Sequence, residues 1–210
     1  IGFLGTASQS FLSDFVMGFT ASHPQIKLSM TSDALDILVK QLNDGLTDLA
    51  FVTHVDKNYL IGLESKTIMK SPLIAVMHPT HALANRDSLS IKDLSGFPMI
   101  NFSPQANPIT SDFNKQIFKK AGAQLNIVRE IPNIETAAFC ASINEGVFIM
   151  PEYLLSSIGS LRTVPLTDSF AYVTLNLIWK KKNPNISIPV FVDSFSTYIQ
   201  NRNPNLAPAD

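Results

Sequence analysis

Cysteine is almost missing from this sequence, with one residue, Cys140, among 210. A framework of internal disulfides is therefore excluded, because a lone thiol has no partner within the chain. Charge is scarce too. Asp, Glu, Lys and Arg make up 16% of the residues, against about 25% in ordinary globular domains. The signs balance, with 16 basic residues against 17 acidic ones and a formal net charge of −1, which excludes a nucleic-acid binder working by bulk charge. Long apolar runs are lacking as well. Stretches such as Phe15–Ala21 and Pro72–Met77 fall well short of the roughly 18 residues a membrane-spanning helix needs. Disorder is excluded from the other side, since 45% of the residues are hydrophobic and unfolded chains combine low hydrophobicity with high net charge. What remains is a globular chain, long enough for one large domain or two small ones.

Catalytic signatures are missing in the same way. There is no Gly-x-Gly-x-x-Gly, no phosphate-binding P-loop, no Cys-x-x-Cys and no Gly-x-Ser-x-Gly elbow. His78 and His81 have a spacing that chelates a metal on a helix, but Pro79 between them breaks any helix and points to a surface loop. Cys140 sits among alanines and reads as a small buried hydrophobe. Lys and Arg are absent from residues 131–161, so no nearby cation in sequence favours its thiolate. Asp33 and Asp36 read as a solvated helix side. The expectation is a protein that is no enzyme and holds no metal or cofactor.

What is present is alternation. Ile1–Leu4 is an apolar run. Phe11, Leu12, Phe15, Val16 and Phe19 then recur at helical spacing up to Pro24. Residues Ile26–Thr31 alternate like a strand. Leu35, Leu38, Val39 and Leu42 form a second helical face, which Ser32 or Asp33 caps and Gly45 ends. Asp48–Thr53 is a third strand. Such β-α-β-α-β order implies parallel strands with right-handed crossovers. The middle of the chain predicts strands at Leu63–Lys70 and Leu73–His78, joined near Ser71-Pro72. Further strands are predicted at Met99–Phe102, Gln124–Glu130 and Val147–Met150, with helices at Ser111–Ala121 and Ile134–Glu145. The tail predicts a strand at Val173–Trp179 and a helix with Ile188, Phe191, Val192, Phe195 and Ile199 on one face. The opening Ile1-Gly2-Phe3 reads as a strand with no leader before it, as in a piece of a longer protein.

Ligands of open parallel sheets bind beyond the carboxyl ends of the strands. Those ends here carry Thr6, Ser8 and Gln9, then Thr31-Ser32, then Thr53-His54, and finally Phe102-Ser103 with Ile109-Thr110-Ser111 at a helix start. Short hydroxyl side chains beside helix amino termini suit a small molecule with anionic or polar groups. Each of these hydroxyls is also able simply to cap its own helix. Asp33 and Asp112, near two of those termini, would oppose a strongly anionic ligand.

In order and spacing the sequence resembles the effector-binding domain of LysR-type transcriptional regulators. The likeness runs from IGFLGTAS through His23-Pro24. It continues in Gln41–Ala50 (QLNDGLTDLA), in His78-Pro79 with Leu83-Ala84, and in Ile91–Leu94 with Pro98–Ile100. It ends in Ile134-Glu135-Thr136 and Glu145–Pro151. Asn144-Glu145-Gly146 stands where the family has a more glycine-rich turn, which implies a stiffer one.

The resemblance implies an α/β fold of the type II periplasmic-binding-protein-like class, two Rossmann-like lobes joined by two crossover strands. Lobe I would hold 1–53 plus 165–210 and lobe II 54–164, with crossings near Thr53–Val55 and Leu161–Pro165. An effector, an organic acid or amino-acid-like metabolite, would bind in the cleft between the lobes. By analogy Thr6, Ser8, Ser32, Ser103, Ile109 and Thr110 line that cleft, with Phe148 on the lobe II side. Gln9, Thr31, Thr53 and Phe102 join this set from the strand-end reading. The family also implies a cytoplasmic homodimer, a tetramer when full-length. Its first helix (10–22) would face the helix at 111–121 of the partner, and DNA would be bound by a winged helix-turn-helix domain outside this sequence. Two other functions suit such a fold. A periplasmic solute-binding protein would need a secretion signal. An enzyme would need a titratable cluster, for which His54 is the candidate.

Overall fold

The computed structural model describes residues 1–3, 9–53 and 60–202. The chain divides into two compact units, Ile1–Lys70 with Thr174–Asp210, and Ser71–Val173. Both division points fall inside strands. The first lies in β4 (Leu63–Met77) and the second in β9 (Tyr172–Lys180), further along the chain than the crossings read from the sequence. β4 is one strand of 15 residues, where periodicity suggested two. Hydrophobic pattern marks an element, but not which of two cores each half of it joins.

In unit 1, β1 (Gly2–Phe3) lies parallel to β2 (Thr31–Ser32) on one side and β3 (Leu49–Thr53) on the other. β3 pairs antiparallel with β9 from Leu49↔Trp179 to Thr53↔Leu175. β2 is much shorter than the strand expected over Ile26–Thr31. Among the described residues, the helices of this unit are α1 (Gln9–Ser22), α2 (Leu35–Asp44) and α5 (Ser187–Arg202). The apolar face of α1 buries Leu12, Phe15 and Phe19, and that of α5 buries Ile188, Phe191, Val192, Phe195 and Ile199. Phe15 meets Phe191 and Phe195 edge-on at 5.2 and 4.8 Å, and Phe51 of β3 meets Phe195 at 4.9 Å. Each buried ring contributes about 1.5–3 kcal/mol by leaving water, and each edge-to-face pair about 0.5–1.5 kcal/mol more. α2 packs its Leu38 so closely over β1 that a Cβ on Gly2 would come within 2.5 Å of the Leu38 Cδ2. α2 ends, as expected, at Gly45, whose left-handed backbone (φ 74°) lets its amide reach back to the last carbonyls.

In unit 2, β5 (Pro98–Phe102) runs parallel to β6 (Asn126–Ile131). On its other side Met99 bridges to Val147, just ahead of β7 (Phe148–Pro151). β7 and β8 (Arg162–Pro165) both pair antiparallel with β4. α3 (Pro108–Ala121) and α4 (Ile134–Ser142) complete the unit. A 3-10 helix at Ile91–Leu94 starts with a capping box, Ser90 with Asp93, which holds the Asp93 carboxyl below its ordinary pKa through hydrogen bonds from Ser90. The core gathers Leu73, Ala75 and Met77 of β4 with Leu94, Met99, Ile117, Phe118, Ile149 and Val164. α4 is shorter than expected because Asn144 takes a left-handed conformation (φ 59°) beyond its end. Among the described residues no helix is long and apolar enough to cross a membrane.

Candidate functional site

Unit 2 builds its strand-end site from one turn. Ser103 follows β5 and closes that turn on itself: its Oγ accepts from the Ala106 amide at 3.1 Å, and its carbonyl oxygen accepts from Asn107 N at 2.9 Å. Asn107 then starts α3. Its Oδ1 accepts from Thr110 N at 3.1 Å and its carbonyl oxygen from Ser111 N at 3.0 Å. Pro108 fills the first helical position, where no amide hydrogen is needed. Ser103, Ile109 and Thr110 emerge half-buried at this helix start. Phe102 and Phe148 are placed differently from that trio, buried at 7% and 1% exposure. Asp112 does not lie across the helix terminus. It is exposed and pairs with Lys115 at 3.6 Å.

Three polar side chains lie buried beneath this turn. Asn114 Nδ2 of α3 donates to Asn101 Oδ1 of β5 at 2.8 Å, and Asn101 Nδ2 donates to Ser111 Oγ at 3.5 Å. At the carboxyl end of β6, Asn133 caps α4 by accepting from the Thr136 amide at 2.9 Å and its hydroxyl at 2.8 Å. Sequence reading passed over Asn101, Asn107, Asn114 and Asn133. For Asn107 a signal existed, since Asn followed by Pro before an apolar periodic run is a helix start. No local signal marks Asn101 and Asn114, whose partners are distant in sequence.

Unit 1 presents Ser32, exposed, at the end of β2 and Thr53, half-buried, at the end of β3. Thr31 is drawn elsewhere. Its Oγ1 donates to Asp33 Oδ2 at 3.2 Å, Gln41 Nε2 donates to the same oxygen at 2.9 Å, and Thr47 Oγ1 donates to Gln41 Oε1 at 3.2 Å. Neither Ser32 nor Asp33 caps α2. The capping position belongs to Ala34, which offers no side-chain acceptor. Thr31, Gln41 and Thr47 also face a cavity of about 460 Å³ at the amino ends of the strands, with Ile1, Leu28 and Phe191 among its other walls. Thr6, Ser8 and His54 lie outside the described residues, as does the side chain of Gln9.

The remaining reactive groups are quiet. Burial, and then a hydrogen bond to Glu145, push the Cys140 thiol above its ordinary pKa. Arg129, which the fold brings over from β6, is spent on Glu145 instead: its Nε donates to Glu145 Oε1 at 2.8 Å. His78 Nδ1 pairs with Thr80 Oγ1 at 2.8 Å, and burial lowers the pKa of His81. Among the described residues no group of three His, Cys, Asp or Glu side chains is placed to hold a metal ion.

The LysR substrate binding domain model matches residues 1–198. The HTH-type transcriptional regulator AlsR of Bacillus subtilis (strain 168) is 26% identical over 198 residues, covering 91% of this chain and 63% of that protein. The chain thus spans about 60% of the length of the curated relatives it matches. Among solved structures, the BenM effector binding domain with its effector benzoate superposes with a TM-score of 0.82 at 18% identity, covering 97% of this chain and 90% of that one. The effector binding domain of QuiR in complex with shikimate gives 0.79 at 22%, covering 95% of each chain. The fold is that of these effector-binding domains, the type II periplasmic-binding-protein-like fold.

Proposed function

The chain belongs to the LysR substrate-binding domain family, and from that premise we propose that it is the effector-sensing part of a LysR-type transcriptional regulator. It acts in the bacterial cytoplasm, on DNA held by a domain outside this sequence, and within an oligomer of identical chains. Ligand binding regulates only through different affinities for two arrangements of the protein. The two compact units serve as the two lobes. Their effector-binding residues are Ser103, Ile109 and Thr110 in unit 2 and Thr6, Ser8, Ser32 and Thr53 in unit 1.

The observation that carries this reading is the turn after β5. It sets half-buried hydroxyls at the amino end of a 14-residue helix, at the carboxyl end of a parallel strand. The amino terminus of α2 supports an effector with an anionic group such as a carboxylate. Ala34 leaves the first-turn amides without a side-chain cap, and such amides with the helix dipole favour anions. Asp33 and Asp112 do not take up those amides, since one is turned along α2 and the other pairs with Lys115. The relatives' identity as transcriptional regulators favours this reading over a transporter's solute-binding protein or an enzyme.

A thermal-shift screen of the purified chain against organic acids, with benzoate and shikimate among them, tests the sensing role. Stabilisation that grows with ligand concentration is expected. The reading frame ahead of Ile1 tests the wider proposal: a winged helix-turn-helix supports it, and a secretion signal overturns it.

A further inference from the structure

Six polar residues are buried among the described ones, and three of these, Asn101, Ser111 and Asn114, meet at one place. They sit between β5 and the amino-terminal half of α3, in a unit where Ser71 is the one other buried polar residue among those described. An apolar contact between a helix and a sheet tolerates sliding and rotation. A buried amide pair does not, because its hydrogen bond is directional and the surrounding low dielectric penalises breaking it. The Asn114 to Asn101 bond, 2.8 Å long, therefore fixes where α3 stands along β5.

That placement is transmitted by a continuous set of hydrogen bonds. Ser111, on which Asn101 closes at 3.5 Å, binds its amide to the Asn107 carbonyl. Asn107 caps Thr110 and donates its own amide to Ser103, whose amide in turn is held by the Ile131 carbonyl of β6 at 2.9 Å. We propose that Asn101 and Asn114 are positioning residues: they touch no effector, and they set the register of the 103–111 turn that does. This rests on the reading that Ser103, Ile109 and Thr110 meet the effector. It adds that the geometry of that turn is specified from beneath, by an amide pair.

The test uses hydrogen exchange on the ligand-free chain alongside thermal melting. Asn114→Leu leaves the Asn101 side-chain oxygen buried without its donor, so it lowers the melting temperature and speeds exchange at 103–111. The double variant Asn101→Leu with Asn114→Leu replaces both partners by apolar groups of similar shape, which restores most of the stability. Exchange at 103–111 stays about tenfold faster than in the parent, the local equivalent of one lost hydrogen bond. Recovery of protection together with stability would show that the pair only packs, and would overturn the proposal. Ser111→Ala gives an independent arm if the double variant fails to fold. It is expected to speed exchange at 103–111 and, because the bond it removes is the longer one, to lower the melting temperature less than Asn114→Leu does; unchanged exchange there would also overturn it. A Thr110→Val variant that binds effector normally would sink the site reading and leave this exchange result standing, so the two failures are distinguishable.

Discussion

Asp33 turns its carboxylate along the flank of α2 to Gln41, whose Nε2 donates to Asp33 Oδ2 at 2.9 Å, instead of across the amino end of that helix. Thr31 donates to the same oxygen. A residue well suited to cap α2 is thereby diverted, and Ala34 is left in the capping position without a side-chain acceptor. Ala34→Asp is expected to raise stability by about 1 kcal/mol, the usual worth of a cap, read as a higher melting temperature. The same variant is expected to weaken an anionic effector by about 1 kcal/mol, because the new carboxylate takes up the first-turn amides and opposes the ligand's charge. Equal affinity in parent and variant would exclude the α2 terminus from the site.

Gly146 lies against the backbone of β5. A Cβ there would stand 2.7 Å from the Pro98 carbonyl oxygen and 3.1 Å from its carbon. The obstacle is backbone, so it cannot swing aside as a side-chain tip would. Gly146→Ala is expected to destabilise unit 2 by about 1–3 kcal/mol and to strain the hydrogen bond from Val147 N to Pro98 O, now 2.9 Å. Denaturant unfolding measures the first effect, and amide exchange at Val147 the second. Unchanged values for both would mean that the chain yields here more easily than its packing indicates.

Gly146 also shows what the sequence makes legible. A glycine after an apolar helical pattern reads as that helix's stop, yet α4 ends earlier, at Ser142, and Gly146 is there for a close approach. Where a glycine does terminate a helix, at Gly45, the expectation and the left-handed backbone agree, and Gly122 ends α3 in the same conformation. The apolar faces of α1 and α5 were readable because burial follows helical periodicity directly. The strand expected over Ile26–Thr31 was not, because alternation marks half-burial, and a ladder needs a partner strand that alternation does not name. The site divides in the same way. That Ser103 follows a strand and Thr110 stands at a helix start was reachable from the sequence, whereas the diversion of Thr31 to Asp33 and the pairing of Asn101 with Asn114 depend on contacts that tertiary folding alone creates.

Cys140 is buried near Glu145, so its pKa is raised first by desolvation and then by that carboxylate. Thiolate is the reactive form. Alkylation at neutral pH is expected to be much slower than for an exposed thiol and to accelerate as pH rises above the ordinary thiol range. Glu145→Gln removes the negative charge, lowers the thiol's pKa and speeds labelling at fixed pH. The parent labelling as quickly as free cysteine at neutral pH would contradict the burial and pairing described.

Thr110 and Asn107 separate binding from folding at the turn after β5. Asn107→Ala removes the acceptor for Thr110 N and is expected to cost about 1 kcal/mol of stability, as lost caps do. Thr110→Val removes a hydroxyl at a half-buried position and keeps the side-chain shape, so its cost to folding is small. If that hydroxyl bonds the effector, the variant loses about 1 kcal/mol or more of affinity, since the ligand's polar group is left without a partner. Calorimetric titration of both variants with a ligand found by thermal shift distinguishes the cases. Thr110→Val is expected to lose affinity at unchanged melting temperature, and Asn107→Ala to lose both. Unaltered affinity in Thr110→Val would move the effector away from the amino end of α3.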